Sequence, residues 1–109
     1  MNKEQFIHID GDGNKRYFSD RKMTIYHRED GPAYEASNGD REWLVDNKLH
    51  REDGPAVEWV CGHREWYIND KCHREDGPAI EWGDGNKTWC LNGEYLTEEQ
   101  FNARMNPVE

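Results

Sequence analysis

The chain has 109 residues, about the size of one domain, and a net charge of -9 from 23 acidic and 14 basic side chains. The sequence has no basic stripe and no long apolar run, which disfavours direct binding to DNA or RNA and any membrane-spanning or anionic-membrane role. Only 34% of the residues are hydrophobic, but five Trp, five Tyr and three Phe can supply a thin core, and self-association would stabilise it further.

The first eight residues contain no apolar run of the kind that a secretory signal needs, so a leader is not expected. The three cysteines, Cys61, Cys72 and Cys90, are an odd number without paired spacing. Reduced thiols in a cytoplasm are the simplest interpretation. The predicted location is therefore the cytoplasm, which would be the host cytoplasm if the protein is phage-encoded.

Residues 6–26 are predicted to form a degenerate first unit. Residues 11–15 copy residues 83–87, and Tyr17 takes the place of Trp89. The spacing to the next unit is three residues longer, which indicates an insertion near Met23. The run from Asp10 begins like a calcium loop, but Lys15 stands where that loop needs glycine, so no metal is expected.

A seven-residue motif, His-Arg-Glu-Asp-Gly-Pro-Ala, occurs three times. The copies begin at His27, His50 and His73, and both offsets are 23 residues. Identical copies of a motif at a constant spacing are the signature of a repeat architecture. The predicted repeats are residues 27–49, 50–72 and 73–95 of a single domain.

Each repeat contains two short strand-like runs around a glycine-containing turn, which predicts a β-hairpin. Because side chains alternate between strand faces, Val57 and Trp59 are expected to share a buried face. That face would also carry the ladder of Trp43, Trp66 and Trp89, opposite a glutamate-bearing exposed face. The predicted fold is mainly β, an elongated antiparallel sheet of stacked hairpins, with a short capping helix over residues 97–105 that opens on a capping box.

The motif residues favour a structural role. Asp-Gly predicts a tight turn with glycine at positive φ, and proline suits a strand start. The histidine and aspartate of each copy are metal-ligand types, but stacking places equivalent residues along a line, whereas one site needs different residues at one point. Structural pairing is therefore predicted rather than catalysis, metal binding or a cofactor, for His27 and Asp30, His50 and Asp53, and His73 and Asp76.

The plan of one hairpin per 23 residues resembles the MORN repeat. More closely, it resembles a MORN-like group marked by this motif and found in bacteriophage and bacterial hypothetical proteins. The resemblance covers about residues 6–96, with residues 69–79 placed where a MORN unit has its turn and glycine-rich stretch, and with Gly-Pro-Ala in place of Gly-x-Gly. It implies an elongated sheet that acts as a scaffold and is often dimeric. Lipid binding, proposed for some arrays, does not carry over to an acidic chain.

The predicted function is a protein-interaction module and not an enzyme, in its sharper form a phage-encoded inhibitor of a host defence protein. The predicted binding face is acidic and apolar, formed by Glu35, Glu58, Glu81, Glu42, Glu65, Leu44 and Tyr67. One alternative is a nucleotide binder or sponge that grips phosphates with Arg28, Arg51 and Arg74. Another is a structural scaffold or virion component.

Overall fold

The computed structural model describes residues 4–107, and within them the chain is an antiparallel sheet of hairpins followed by one short helix. The first strands are β1 (Phe6–Ile9), β2 (Lys15–Phe18), β3 (Tyr34–Glu35), β4 (Arg41–Glu42), β5 (Leu44–Val45), β6 (Lys48–Leu49) and β7 (Val57–Glu58). The others are β8 (Arg64–Glu65), β9 (Tyr67–Ile68), β10 (Lys71–Cys72), β11 (Ile80–Glu81), β12 (Lys87–Leu91) and β13 (Glu94–Leu96), before helix α1 (Glu98–Met105).

Nine strands form the main sheet, in the order β1-β2-β3-β4-β7-β8-β11-β12-β13, with antiparallel pairing at every step. The molecule measures 53 × 34 × 17 Å, so it is elongated and thin. The predicted fold class, an elongated antiparallel sheet of hairpins with a short C-terminal helix, is confirmed.

Each repeat holds two hairpins, whereas the sequence predicted one. The first hairpin lies in the main sheet, as in the β7–β8 pair. The second is a small pair beside it, β5–β6 in one repeat and β9–β10 in the next. In the third repeat one longer strand, β12, takes part in both hairpins.

The tryptophans of the predicted ladder explain why the strands are so short. Trp43 and Trp66 lie between two strands, where their backbone groups bond to the next copy of the motif. The Trp66 N–H donates to the Ala79 carbonyl at 2.8 Å, and its carbonyl accepts from His73 at 3.0 Å. The strand therefore leaves the main sheet at this residue, and the second run of the predicted hairpin is interrupted at Trp43 in one repeat and at Trp66 in the next.

Turn chemistry fixes both hairpins. The turns of the main sheet contain glycines at positive φ, Gly39 at 102°, Gly62 at 96° and Gly85 at 95°, a conformation that glycine adopts without strain. The second hairpins close through two-residue turns with both residues at positive φ, as in Asn69 (49°) and Asp70 (67°). Two such residues match the twist of the flanking strands.

The core is a thin layer centred on the motif alanines. Ala33, Ala56 and Ala79 are fully buried, and Val57 and Ile80 pack next to them. The predicted Trp-rich buried face is wrong for Trp59 and Trp82, which are 41% and 46% exposed. These two residues lie beyond the two-residue strands, at the start of the turns, where strand alternation no longer decides orientation.

Helix α1 begins as the sequence predicts. The Thr97 side chain accepts from the Gln100 backbone, and the Gln100 side chain accepts from the Thr97 backbone, which completes the capping box. Phe101 is the buried residue of this helix, and Arg104 donates to both carboxylate oxygens of Glu94 at 3.0 Å. The helix therefore covers the β12–β13 end of the sheet.

Candidate functional site

The motif histidines tie each motif to the turn of the second hairpin. His50 Nδ1 accepts from the Asn69 backbone N–H at 3.1 Å. In the same way His27 Nδ1 accepts from the Asp46 backbone N–H at 3.1 Å, and His73 Nδ1 accepts from the Asn92 backbone N–H at 2.9 Å. Because Nδ1 accepts, the proton lies on Nε2, which lies 3.2 Å from the motif glutamate in His50 and 3.1 Å in His73. In His27 the distance to Glu29 is 3.4 Å, and the buried Nε2 makes no hydrogen bond. Each histidine thus holds its motif against the turn of the second hairpin.

The motif arginines hold the loop together. Arg51 donates from Nε to Asp53 at 3.0 Å and from Nη1 to the Pro55 carbonyl at 3.0 Å and to Glu58 at 3.4 Å. Its guanidinium lies 3.8 Å from the ring centroid of Trp43, in the preceding repeat. Arg28 makes the same set of contacts with Tyr17 as its aromatic partner, and Arg74 makes it with Trp66.

This arginine also explains the motif glycine. Gly31, Gly54 and Gly77 are absent from the residues with positive φ, so the prediction that the glycine supplies an unusual backbone conformation is wrong. A Cβ at Gly54 would lie 2.9 Å from the Cζ of Arg51, and the equivalent distances are 2.9 Å at Gly31 and 3.0 Å at Gly77. The residue must therefore be small so that the guanidinium can fold back over the loop.

Six strongly exposed carboxylates lie in these motif loops. We call them the motif-loop row, and their exposed side-chain fractions range from 64% to 88%. The row consists of Glu29, Asp30, Glu52, Asp53, Glu75 and Asp76. The hydrogen bond from Arg74 lowers the pKa of Asp76 below its usual range, so this carboxylate stays ionised.

Two grooves of nearly equal size lie between successive motif loops. One, of about 770 Å³, lies between the loops of the second and third repeats, and its lining includes Trp66 and Ile68. The other, of about 760 Å³, lies one repeat earlier with Trp43 and Val45 at the same positions. Each groove has an aromatic and aliphatic floor and carboxylate rims.

The sheet-face residues predicted as a binding surface are less accessible than the motif-loop row. Glu35, Glu58 and Glu81 have side chains 31%, 33% and 30% exposed, and each accepts from the arginine of its own motif. Leu44 and Glu42 are half-buried. The structure therefore brings the three repeated glutamates against the predicted ligand-binding arginines, with the two sets paired to each other.

Glu65 belongs to a small buried polar network. It accepts a hydrogen bond from Tyr67 at 2.5 Å and contacts His63 Nε2 through its second oxygen. Burial, and then the hydrogen bond to Glu65, raises the pKa of the Tyr67 hydroxyl above its usual range. Leu44 and Glu42 occupy the equivalent positions one repeat earlier, and no such bond joins them.

An aromatic cluster that sequence reasoning missed lies at two neighbouring hairpin turns. The His63 ring is 4.8 Å from both the Trp59 and the Trp82 ring centroids, and it is buried between them. Val60, 64% exposed, lies beside this cluster at the same turn. The usable signal was that Trp59 and Trp82 occupy equivalent repeat positions, which stacking brings side by side.

The described residues contain no cluster of metal ligands, and two of the three thiols are buried. Within residues 4–107, no group of three or more histidine, cysteine, aspartate and glutamate side chains is arranged to hold a metal ion. Cys61 is exposed, whereas Cys72 and Cys90 are buried. Burial raises the pKa of both buried thiols, and the contact with Cys90 raises that of Cys72 further. Buried thiols of this kind are unreactive.

Comparisons with family models, with curated proteins and with solved structures find no match to this chain. In the part of the chain that the structure describes, the helix is too short and too polar to cross a membrane.

Proposed function

We propose that this protein is a protein-interaction module that binds a partner with a basic surface. The observation that carries the proposal is the motif-loop row, in which three copies of the motif each present two exposed carboxylates beside grooves with apolar floors. The module needs no catalytic group, because recognition comes from charge and shape. The MORN-like resemblance supports the same kind of role, since repeat arrays of this sort act as scaffolds.

The spacing of the row limits what it can bind. Successive motif loops are separated by two strands of the main sheet, or about 9.6 Å. A peptide in the polyproline II conformation rises by about 3.1 Å per residue with three residues per turn, so every third side chain returns to the same face after about 9.3 Å. A segment with arginine or lysine at every third position would therefore direct one cation toward each motif loop.

Electrostatic attraction of this kind acts mainly on the association rate and on specificity. It is screened by salt, because the Debye length is about 8 Å at physiological ionic strength. Binding should therefore weaken as salt is added. The narrower form of the proposal is that the protein is phage-encoded and the partner is a host defence protein whose basic surface normally contacts nucleic acid.

The alternative of nucleotide binding has less support. Arg28, Arg51 and Arg74 direct their Nε and Nη1 atoms at carboxylates and carbonyls of their own loops. The grooves beside them are rimmed with carboxylates, which repel phosphate. The scaffold or virion role differs from the proposed one only in the partner, and presence in purified particles would identify it.

The test compares two triple variants that change the net charge equally. Glu29→Gln, Glu52→Gln and Glu75→Gln remove three charges from the row while keeping a side-chain acceptor for His50 and His73. Asp84→Asn, Glu98→Gln and Glu99→Gln remove three exposed charges elsewhere. The probe is a synthetic peptide with arginine at every third position, followed by fluorescence anisotropy at two salt concentrations.

We expect the row variant to weaken peptide binding at least tenfold and the control variant to weaken it less than threefold. Equal weakening by both variants, or no binding to the unmodified protein at low salt, would refute the proposal. The narrower form is tested by capture from a host lysate. The captured protein should have a basic surface, and the row variant should lose it.

A further inference from the structure

The first strand of the main sheet has an open outer edge. Strand β1 pairs with β2 on one side, and in residues 4–107 no strand pairs with its other side. Two of its four side chains, Ile7 and Ile9, are 49% and 58% exposed. The strand contains no proline or lysine, the residues that usually protect an edge from pairing.

The backbone groups that point outward from this edge can be assigned. Tyr17 donates to Ala33 and accepts from His27, so its backbone faces away from β1. Its register partner, Ile7, is then a non-hydrogen-bonded position of the β1–β2 pair. Because bonded and non-bonded pairs alternate, Ile9 is another such position. The N–H and C=O groups of both isoleucines therefore face outward from the sheet.

The segment that contains β1 differs in net charge from the rest of the chain. Residues 4–26 contain four acidic and four basic side chains, so this segment is neutral. Residues 27–109 contain nineteen acidic and nine basic side chains. Two copies of the chain are repelled wherever their repeats approach, but this repulsion is absent between the two first hairpins. The outward isoleucines thus lie at the one end where a second copy can come close.

We propose that β1 pairs antiparallel with β1 of a second copy, about a two-fold axis at His8. This register sets Ile7 opposite Ile9 of the second copy and Ile9 opposite its Ile7, so all the outward N–H and C=O groups find partners. The β-branched side chains meet in cross-strand pairs on one face, which stabilises antiparallel sheets. The two main sheets then become one continuous sheet.

The opposite end of the sheet lacks these features. Helix α1 packs against β12 and β13 there, and Arg104 and Glu94 form a two-bond ion pair. The acidic repeats also adjoin that end. Pairing through β1 leaves the motif-loop rows of both copies accessible, so the dimer would present two rows to a partner. Self-association through β1 needs no other partner.

The first experiment measures the mass of the full chain over a range of concentrations by light scattering and sedimentation. The unmodified protein should change from monomer to dimer as its concentration rises. Ile7→Lys with Ile9→Lys places four lysines around the axis and should abolish the dimer. The matched control is Val60→Lys with Tyr95→Lys, which changes two equally exposed apolar residues by the same charge and should leave the dimer intact.

A monomer at every concentration would overturn the proposal, and so would dissociation of the control variant with retention of the dimer in the β1 variant. Circular dichroism spectra of both variants check that the fold is kept. The peptide-binding test of the motif-loop row does not depend on this result, since a monomer carries a complete row.

The second experiment tests the register. In a Cys61→Ser background, His8→Cys would place two thiols in a non-hydrogen-bonded pair, at a Cα separation of about 4.5 Å that permits a disulfide. Oxidised glutathione takes up the two electrons and two protons that the thiols lose, and a covalent dimer forms. Val60→Cys in the same background is the control. Linkage of His8→Cys at least tenfold faster is expected, and equal rates would contradict the two-fold axis at His8.

Discussion

The motif loops and the hairpin turns of the main sheet belong to the same repeats. The motif loops make the same contacts in every repeat, whereas the residues of the turns change from one repeat to the next. In the motif loops, the arginine stacks on an aromatic ring at 4.0, 3.8 and 3.9 Å and bonds to the same three partners in every copy. In the turns, the position of His63 is occupied by Asp40 one repeat earlier and by Asn86 one repeat later.

This difference separates residues that hold the loops in shape from residues that make the surface differ between repeats. Residues that are identical in each copy hold the loop in shape and fix the positions of the exposed carboxylates. Residues that differ produce local features, such as the aromatic cluster of Trp59, His63 and Trp82. The repeated part thus supplies a surface of regular spacing, and the variable part distinguishes one end of that surface from the other.

The largest expected effect comes from removing a motif arginine. Arg51→Ala should lower the free energy of unfolding by about 3 kcal/mol, because the ring stack is lost and the Pro55 carbonyl and Glu58 lose a donor. Urea denaturation measures it. Arg51→Lys should recover less than half of the loss, since an ammonium lacks the planar fork. Full recovery by lysine would show that only charge matters there.

A smaller effect is expected when a turn residue is replaced by its counterpart from another repeat. His63→Asp copies Asp40 but sets a second carboxylate against half-buried Glu65, so unfolding should become easier by about 2 kcal/mol. Adding Glu65→Gln removes the carboxylate that faces the new aspartate and should reduce that cost. No difference between His63→Asp and the unmodified protein would mean that the turns are as interchangeable as the motifs.

The smallest effect concerns the motif glycine. Gly54→Ala should cost about 1 kcal/mol, because the new Cβ lies 2.9 Å from the Arg51 guanidinium and forces that side chain to shift. Gly11→Ala is the control, since nothing lies within 4 Å of a Cβ there and its φ is ordinary. In an Arg51→Ala background, Gly54→Ala should change the free energy of unfolding by almost nothing. An undiminished cost would show that the two residues are not coupled.

Much of the fold follows from local patterns in the sequence. The 23-residue spacing, the glycine turns and the capping box at Thr97 each depend on residues close together in the chain, and they predicted an antiparallel sheet of hairpins with a terminal helix. The orientation of the tryptophans did not follow. Trp66 leaves its strand because its backbone bonds to Ala79 and His73, and such contacts between repeats have no signature in one repeat.

The sequence indicates an acidic surface but does not show which carboxylates are most accessible. Acidic repeats suggested an acidic surface, but strand alternation pointed to Glu58 and its counterparts. Arg51 folds back over Gly54 to reach Glu58, which draws that carboxylate into the loop and leaves Glu52 and Asp53 as the exposed pair. A side chain that bends across its own loop is outside what a period-two pattern can predict.

The most direct test is a titration of nitrogen-15-labelled protein with the arginine peptide, followed through the amide resonances. The largest shifts should fall on the loop residues Glu52, Asp53, Glu75 and Asp76, and they should fade when the three motif glutamates are changed to glutamine. Shifts that instead centre on Trp59, Val60 and Trp82, and that persist in that variant, would contradict the assignment of the motif-loop row as the binding surface.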